Sequence, residues 1–151
     1  MTRKLPSTAR SLPIALLRAR EEVMGPIRAM LADVGITEQQ WRVLRVLDEG
    51  GAMEPTRIAE EACLLLPSLT RILQKLEERG LIARRRDEED KRRQIVEITP
   101  AGEEVIAANL ETSIALNQAV RDRLGARHYE LLLDLLNELA PDGGAADPSE
   151  D

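Results

Sequence analysis

Five polar side chains near the middle of the chain have the spacing needed to contact nucleic acid. They occupy positions that an amphipathic helix starting near Pro67 leaves facing outward, while its leucine and isoleucine positions face inward. Hydroxyl, amide and guanidinium groups on one helix face can form hydrogen bonds with base edges, and cations beside them can contact phosphates. The candidate contact residues on this helix are Ser68, Thr70, Arg71, Gln74 and Lys75. For Arg71, a phosphate contact or an intramolecular ion pair is the alternative to a base contact.

A second group of candidates surrounds a charged loop between two β-prone segments. Residues 81–86 and 94–98 predict a β-hairpin whose long polar tip spans residues 87–93. Residues 71–93 hold nine basic and six acidic side chains, a net +3, which leaves −9 for the rest of the chain. Such a patch can bind phosphate although the total charge is −6. A solvated charged face is the alternative. The hairpin candidates are Arg86, Arg92 and Arg93.

The helix that precedes these candidates has a clear start signal. Thr37 and Gln40 have the spacing of a capping box, and Ile36 and Trp41 have that of a hydrophobic staple. The apolar positions continue until Gly50 and its glycine neighbour, which should end the helix. The sequence therefore predicts a well-defined second helix over about residues 37–50.

The order of the central elements predicts a winged helix-turn-helix. Pro55 suits the first turn of a short third helix that reaches about Cys63, and the contact helix follows from Pro67 to Gly80. A short helix, a tight connection, an amphipathic helix with a polar outer face and then a basic hairpin match this motif. A major groove about 12 Å wide admits one such helix, so we expect duplex DNA as the partner.

Apolar terminal helices flank this central unit. The N-terminal helix should run to about Asp33. After the hairpin, one helix is predicted over residues 100–124, with a length of roughly 37 Å, and a last one over residues 126–139. Helices this apolar should bury much of their surface against a second copy of the chain. We therefore expect one domain over residues 1–151, with dimerisation helices at about 12–34 and 100–140, the winged helix-turn-helix at 37–99, and mobile tails at 1–11 and 141–151. The fold class is mainly α with a small β-hairpin.

Composition argues against most catalytic chemistry. The single thiol of Cys63 and the single imidazole of His128 allow neither a disulfide nor a cysteine- or histidine-rich metal site. No phosphate-binding glycine loop or nucleophile arrangement is present, so we expect no enzyme, no cofactor and no metal. Apolar runs are too short to cross a bilayer, which favours a cytoplasmic protein. Aromatic content of 1% offers few platforms for stacking single-stranded bases.

Several segments resemble the MarR family of bacterial regulators. The match extends over roughly residues 12–140. It rests on residues 37–44 (TEQQWRVL), 69–76 (LTRILQKL), 80–82 (GLI), 90–92 (DKR) and 98–102 (ITPAG). Residues 16–21 (LLRARE), 37–44 and 62–70 (ACLLLPSLT) are more closely similar to the branch that represses homoprotocatechuate (3,4-dihydroxyphenylacetate) degradation.

The resemblance implies a homodimeric repressor that reads a pseudo-palindromic operator. Each half-site would receive one recognition helix and one wing, with half-site centres roughly 34 to 36 Å apart. In the family's Asp-x-Arg wing motif, matched by Asp90 and Arg92, the carboxylate orients an arginine that enters the minor groove. Leu66 departs from a useful contact residue, because a polar side chain would serve DNA better there; we expect it to serve packing instead.

The resemblance also implies a small phenolic carboxylate that releases the protein from DNA. Arg20 shares the apolar stripe of the first helix with Leu17, where a cation needs an anionic partner. Arg20 would hold the carboxylate of an aromatic acid, with Trp41 as an apolar wall and Arg42 nearby. The alternative is a structural ion pair between Arg20 and a carboxylate of either subunit.

Two other modes of action remain open at this point. A redox-sensing repressor would use Cys63, although its apolar neighbours favour an inert buried thiol. A winged-helix protein-interaction module is also compatible with the fold, because a fold does not dictate a function. We expect His128 to lie on a helix surface.

Overall fold

The computed structural model describes residues 3–141 as a mainly helical chain with one small β-hairpin. The predicted fold class is confirmed. Within these residues, a 3₁₀ turn (Thr8–Arg10) precedes α1 (Leu12–Ala32), α2 (Glu38–Gly50), α3 (Pro55–Glu61), α4 (Leu66–Glu78), β1 (Ile82–Arg86), β2 (Gln94–Ile98), α5 (Pro100–Ala108), α6 (Leu110–Leu124) and α7 (Ala126–Leu139). Parts of the two predicted tails, residues 1–2 and 142–151, lie outside the described residues. No helix in the described part is long and apolar enough to cross a membrane.

The start of α2 has the predicted capping box. The hydroxyl of Thr37 accepts a hydrogen bond from the Gln40 backbone N–H at 3.1 Å, and the Gln40 side chain accepts one from the Thr37 backbone N–H at 3.0 Å. Ile36 and Trp41 are both buried in the core, as a hydrophobic staple requires. This reciprocal capping fixes the first turn of α2 and therefore the position of Trp41.

The turn between α3 and α4 differs from the prediction in two respects. Helix α3 ends at Glu61 rather than Cys63, and Cys63 is exposed rather than buried. The cause is a turn of the chain: Ala62 occupies the buried position, and Cys63 follows with φ +55°, which directs its side chain out of the core. The expectation of a buried thiol is therefore wrong for this chain.

The wing is a two-stranded antiparallel hairpin with one additional link to the helical unit. Ile82 lies opposite Ile98 and Arg86 opposite Gln94, so the register is regular. Met53, in the segment between α2 and α3, forms an isolated bridge with Val96 of β2, through hydrogen bonds of 3.0 and 2.9 Å. This bridge attaches the wing to the segment from which α3 begins.

A single apolar core supports these elements. Its buried side chains come mainly from α2, α3, α4 and the hairpin, joined by Leu31 of α1 and Ile106 of α5. Each fully buried leucine or isoleucine contributes about 1.5 to 3 kcal/mol relative to an exposed one. The faces of α2 and α4 that are not in this core are thus held rigidly in view of solvent.

The predicted helix over residues 100–124 is divided into α5 and α6. Buried Asn109 separates them, and its side-chain amide donates to the Val105 carbonyl at 2.8 Å while its backbone N–H bonds to Ile106 at 3.2 Å. A side chain that hydrogen-bonds the preceding turn competes with the regular helical ladder. The prediction of one uninterrupted rod of roughly 37 Å is therefore wrong.

The junction between the wing and α5 has almost no free space. Thr99 caps α5 by accepting from the Gly102 backbone N–H at 3.2 Å, and its hydroxyl donates to the Gly80 carbonyl at 2.6 Å. A Cβ atom on Gly102 would lie 2.3 Å from the Leu81 carbonyl oxygen and 2.6 Å from Ile98 Cγ1. Only glycine fits this approach of helix to hairpin.

The terminal helices leave large apolar side chains on the surface of the chain. Helices α6 and α7 bury no residue within the described part, although α7 runs over the predicted residues. The exposed leucines, isoleucines and valines of α1, α6 and α7 include Leu12, Leu16, Leu17, Val23, Leu110, Ile114, Leu131, Leu132, Leu133, Leu135 and Leu139. An apolar surface of this extent on a single chain marks an interface.

Candidate nucleic-acid interface and effector cavity

The exposed face of α4 carries the five side chains predicted to contact nucleic acid. Leu69, Ile72, Leu73 and Leu76 face the core, so the opposite side of the helix points outward. Ser68 is half-buried at the edge of this face, and Thr70, Arg71, Gln74 and Lys75 are exposed. We call this set the contact face of α4. The structure brings all five together, in the positions that the helical periodicity predicts.

The two cations of the contact face have no acidic partner in the described chain. Neither Arg71 nor Lys75 forms an ion pair or a side-chain hydrogen bond among residues 3–141. Both line a cleft of about 280 Å³ between α4 and the start of α2, whose other lining residues are Thr37, Gln39, Gln40, Ser68 and Ile72. Two cations beside hydroxyl and amide groups form a surface suited to a phosphate.

The remaining polar groups of the contact face keep hydrogen-bonding capacity. Thr70 donates its hydroxyl hydrogen to the Leu66 carbonyl at 3.2 Å, which leaves the oxygen free to accept. The amide of Gln74 lies 3.5 Å from Glu78 Oε1, a long contact that a base edge can replace. The contact face therefore offers donors and acceptors as well as charge.

One acidic residue of this segment, Glu77, forms an ion pair with Arg84. Arg84 of β1 donates to both carboxylate oxygens of Glu77 at 2.9 and 3.2 Å, which ties the wing to the end of α4. The hydrogen bond from Arg84 lowers the pKa of Glu77, and the same bond raises the pKa of Arg84. Because this pair neutralises itself, the local surplus of positive charge resides elsewhere.

The wing tip holds Arg92 in the arrangement expected of an Asp-x-Arg motif. Oδ1 of Asp90 accepts from the Arg92 backbone N–H at 3.1 Å and lies 3.3 Å from Arg92 Nε. The Arg92 side chain is nevertheless 92% exposed. Its guanidinium is therefore oriented at its base while its remaining donors face solvent.

Arg93 differs from Arg92 although both were predicted to contact DNA. Its guanidinium pairs with Glu54, the residue before α3, and lies 3.4 Å from Asp87 Oδ2. The hydrogen bond to Glu54 raises the pKa of Arg93. With two carboxylates beside it, Arg93 connects the base of the wing to α3. Arg86, the third predicted residue of the wing, is exposed opposite Gln94.

Leu66, for which the sequence predicts a packing role, is exposed, and so is Leu65 before it. Leu66, the first residue of the helix, is 45% exposed, and Leu65 before it is 77% exposed. The core beneath this end of the helix is already filled by Leu69 and Ile58. Leu65 and Leu66 therefore leave apolar surface exposed at the start of α4, next in the chain to the contact face.

Arg20, the first candidate for an effector site, forms an ion pair across α1 and α2. Its guanidinium lies 2.7 Å from Glu38 Oε1, and Arg28 lies 3.7 Å from Glu38 Oε2. The hydrogen bond from Arg20 lowers the pKa of Glu38 and raises that of Arg20. In the single chain the stripe around Arg20 is open, since Leu17 is 65% exposed, and the predicted inward position is not observed.

Trp41, the second candidate, is the apolar wall of a large cavity. This cavity of about 610 Å³ lies between α2 and the α5–α6 segment. Besides Trp41 it is lined by Ile106, Leu110 and Ile114, and by the polar residues Arg45, Asp48, Glu49, Ser113, Asn117 and Gln118. The lining thus combines four apolar and six polar residues, and a cavity with converging polar groups beside an aromatic wall can hold a small polar molecule.

Arg42, the third candidate, does not line this cavity. Its guanidinium donates to the carbonyl oxygens of Ala62 at 2.9 Å and Cys63 at 3.5 Å, at the end of α3. Arg45 lines the cavity instead and was missed by the sequence reasoning. The signal was present, because Arg45 is four residues after Trp41 and so shares its helix face, whereas Arg42 is rotated by about 100°.

Oε2 of Glu38 is buried and accepts no hydrogen bond among residues 3–141. Glu38 precedes Trp41 by three residues, so it belongs to the same face of α2 as Trp41 and Arg45. The Glu38 carboxylate nevertheless lies beside Arg20 and Arg28 of α1, and Glu38 is not among the residues that line the cavity beside Trp41. The described residues include no group of three or more histidine, cysteine or acidic side chains placed to hold a metal ion.

Comparison with known proteins gives a consistent result. The model of the MarR family matches residues 36–93. The HTH-type transcriptional regulator FarR of Neisseria gonorrhoeae is 40% identical over 130 residues, which cover 86% of this chain and 89% of that protein. The homoprotocatechuate degradative operon repressor of Escherichia coli is 42% identical over 93 residues, 62% of this chain and 63% of the repressor. The resemblances stated from the sequence are confirmed.

A solved structure with a bound aromatic acid shares the same fold. NadR in complex with 4-hydroxyphenylacetate superposes with a TM-score of 0.79 at 38% identity, covering 92% of this chain and 99% of NadR. The similarity includes both the helical segments around the cavity and the winged helix-turn-helix.

Proposed function

This chain belongs to the MarR family of transcriptional regulators, and from that premise we propose that it is a homodimeric repressor of an aromatic-acid catabolic operon. It binds a pseudo-palindromic duplex through α4 and the wing, and a phenolic carboxylate releases it. The relatives it matches are regulators, and we assign it no catalytic step.

One observation carries the DNA-binding part of this proposal: the contact face of α4 has two cations, Arg71 and Lys75, that have no acidic partner among residues 3–141. Elsewhere in residues 71–93, Glu77, Asp87 and Asp90 lie beside arginines, so half of the six acidic side chains there are paired. A free cationic and hydrogen-bonding helix face next to an exposed wing arginine fits major-groove and minor-groove contacts of duplex DNA.

The exposed apolar faces of α1, α6 and α7 support a dimer. MarR proteins are dimers, and a two-fold arrangement places two identical contact faces on successive half-sites. Leucines that are half exposed in one chain would be buried between two. A dimer that persists at nanomolar concentration in light scattering supports this arrangement, and a stable monomer contradicts it.

The cavity beside Trp41 is our candidate effector site. The ring of a phenolic acid would pack on Trp41, its carboxylate would pair with Arg45, and its hydroxyl would bond to one of the polar side chains that line the cavity. Arg45 has only a 3.9 Å pair with Glu49, so its charge is available. Arg20 is the alternative partner for the carboxylate, but it would first have to leave Glu38.

The test is a titration of the full chain against duplex DNA from its own upstream region at two salt concentrations. We expect tight binding that weakens with salt, because phosphate contacts release counterions. We expect 4-hydroxyphenylacetate or 3,4-dihydroxyphenylacetate to release the DNA. Phenylacetate and 4-hydroxyphenylethanol, which lack the hydroxyl and the carboxylate respectively, are the matched control ligands. Absence of salt-dependent binding to any duplex would reject the DNA-binding function.

Variants separate the two arginines. Arg45→Gln should raise the acid concentration needed for half-release about tenfold without changing DNA affinity. Arg42→Gln is the control, because Arg42 bonds the end of α3 and not the cavity. If Arg20→Gln alone abolishes the response, the carboxylate belongs at Arg20 and our placement at Arg45 is wrong.

The exposure of Cys63 favours redox control as a second candidate. The thiol is accessible in the turn that leads into α4, so its oxidation would act close to the DNA surface. Peroxide that weakens DNA binding of the wild type but not of Cys63→Ser supports this mode. Peroxide without effect on either protein removes it.

A further inference from the structure

Two large apolar side chains at the start of α4, Leu65 and Leu66, are exposed to solvent. Leu65 occupies the N-cap position of α4 and forms no side-chain hydrogen bond to the first turn. Helices α2 and α5 are capped by Thr37 and Thr99, residues that satisfy a free backbone N–H. Helix α4 has no such cap, like α1, α3, α6 and α7, and what sets it apart is a leucine at the N-cap position that is 77% exposed.

A position that is unfavourable to stability in two ways is a candidate for function. The free backbone N–H groups of the first turn are left available, and an apolar surface formed by Leu65 and Leu66 lies directly beside Ser68 and Arg71. Helix α4 packs on α2, α3 and β1. The dimerisation faces of α1, α6 and α7 thus do not account for the exposure of these two leucines.

We propose that Leu65 and Leu66 contact the C5 methyl groups of thymines in the major groove, and so determine part of the sequence specificity. This inference rests on the proposed DNA-binding function. In a helix-turn-helix the N-terminal residues of the recognition helix reach the base edges. The thymine methyl is the apolar group that the groove presents, and an exposed leucine is its natural complement. Burial of methyl and leucine together removes apolar surface from water.

The experiment uses thymine and uracil, which differ only in this methyl group. Within an operator bound by the full chain, each thymine is replaced in turn by deoxyuridine, and the dissociation constant is measured at one fixed salt concentration. We expect one or two positions per half-site at which the replacement weakens binding about fourfold, the effect of one buried methyl. The other positions should show less than a twofold change.

A variant cycle assigns the effect to the leucine. Leu65→Ala should weaken binding to the thymine operator about fivefold, and the sensitive position should then tolerate uracil with less than a twofold loss. Leu65→Met, which remains apolar and of similar size, should keep the sensitivity. Leu5→Ala, another exposed leucine at the N-terminal end of the chain, is the matched control and should leave binding unchanged.

Stability measurements separate contact from folding. Leu65→Ser supplies the missing cap and should raise the melting temperature by about 2 to 4 °C while weakening operator binding. A structural role for Leu65 predicts the opposite sign for stability. If the protein binds its operator but no uracil replacement matters, or if Leu65→Ala loses affinity equally on thymine and uracil, the inference is overturned. If no duplex is bound, the proposed function itself fails.

Discussion

The guanidinium of Arg79 donates a hydrogen bond of 2.7 Å to the carbonyl oxygen of Gly35, and a second of 3.3 Å to that of Val34. Arg79 directly follows α4, and Val34 and Gly35 form the turn after α1. One side chain at the end of α4 therefore satisfies two carbonyls of the turn that follows α1. Through these hydrogen bonds, a shift of α1 and of the turn after it would move the end of α4.

Replacing Arg79 should weaken that connection. Arg79→Ala leaves two carbonyls without their donor and should lower the free energy of unfolding by about 1 kcal/mol, measured by urea denaturation. Arg85→Ala is the control, since Arg85 is exposed and forms no ion pair within residues 3–141. Equal stability of the two variants would show that the Arg79 contact does not support the fold.

Gly102→Ala should be among the most destabilising single-methyl changes in the chain. The added Cβ would meet the Leu81 carbonyl at 2.3 Å, and a backbone atom in a hairpin cannot move aside. We expect a loss of about 1 to 3 kcal/mol in thermal or urea unfolding. Gly25→Ala, inside α1 with nothing within 4 Å of its Cβ, should instead add about 0.5 to 1 kcal/mol. A neutral Gly102→Ala would contradict the close packing of wing and α5.

Arg92 and Arg93 should differ when each is replaced by alanine. The Arg92 side chain is 92% exposed at the wing tip beside Asp90, so Arg92→Ala should weaken operator binding about tenfold and reduce the salt slope by about 1. Arg93→Ala removes the connection to Glu54 and should show its main effect as a lowered melting temperature. Binding isotherms at three salt concentrations with parallel melting curves decide between these roles. A larger salt effect for Arg93 would reverse the assignment.

The ion pair between Arg20 and Glu38 should make stability depend on pH in a defined window. Because the folded-state pKa of Glu38 is lowered, its contribution is fully present above the unfolded-state pKa of about 4.3 and is lost as the pH falls through the lower folded value. Wild type should therefore exceed Glu38→Gln in unfolding free energy at pH 6, and the difference should shrink towards zero below about pH 4. A difference that stays constant from pH 6 to pH 3 argues against this ion pair.

Most of the helical framework follows from local signals in the sequence. The capping box at Thr37 and the glycine at the end of α4 are interactions among neighbours along the chain, so their residue types alone define the boundaries. The contact face of α4 follows in the same way from helical periodicity.

The features that were missed have two physical causes, local backbone conformation and contacts between distant segments. The exposure of Cys63 results from a local turn whose positive φ no residue type there demands. The partner of Arg20 lies on another helix, and the pairing of Arg93 with Glu54 spans 39 positions in the chain. The break at Asn109 depends on a side-chain bond inside a segment whose apolar period is unbroken. The contacts between distant segments are set by tertiary packing. Neither these contacts nor a single bond from a side chain to the preceding turn follows from periodicity.

The bridge between β2 and Met53, together with the ion pair between Arg93 and Glu54, joins the wing to α3 and α4 as one rigid unit. A rigid unit cannot change its own shape to fit a half-site. In a dimer, the quantity that can change is therefore the distance between the two rigid units. A small molecule bound beside Trp41, where this unit meets the α5–α6 segment, would release the DNA by changing that distance, because the two units would then no longer match successive half-sites.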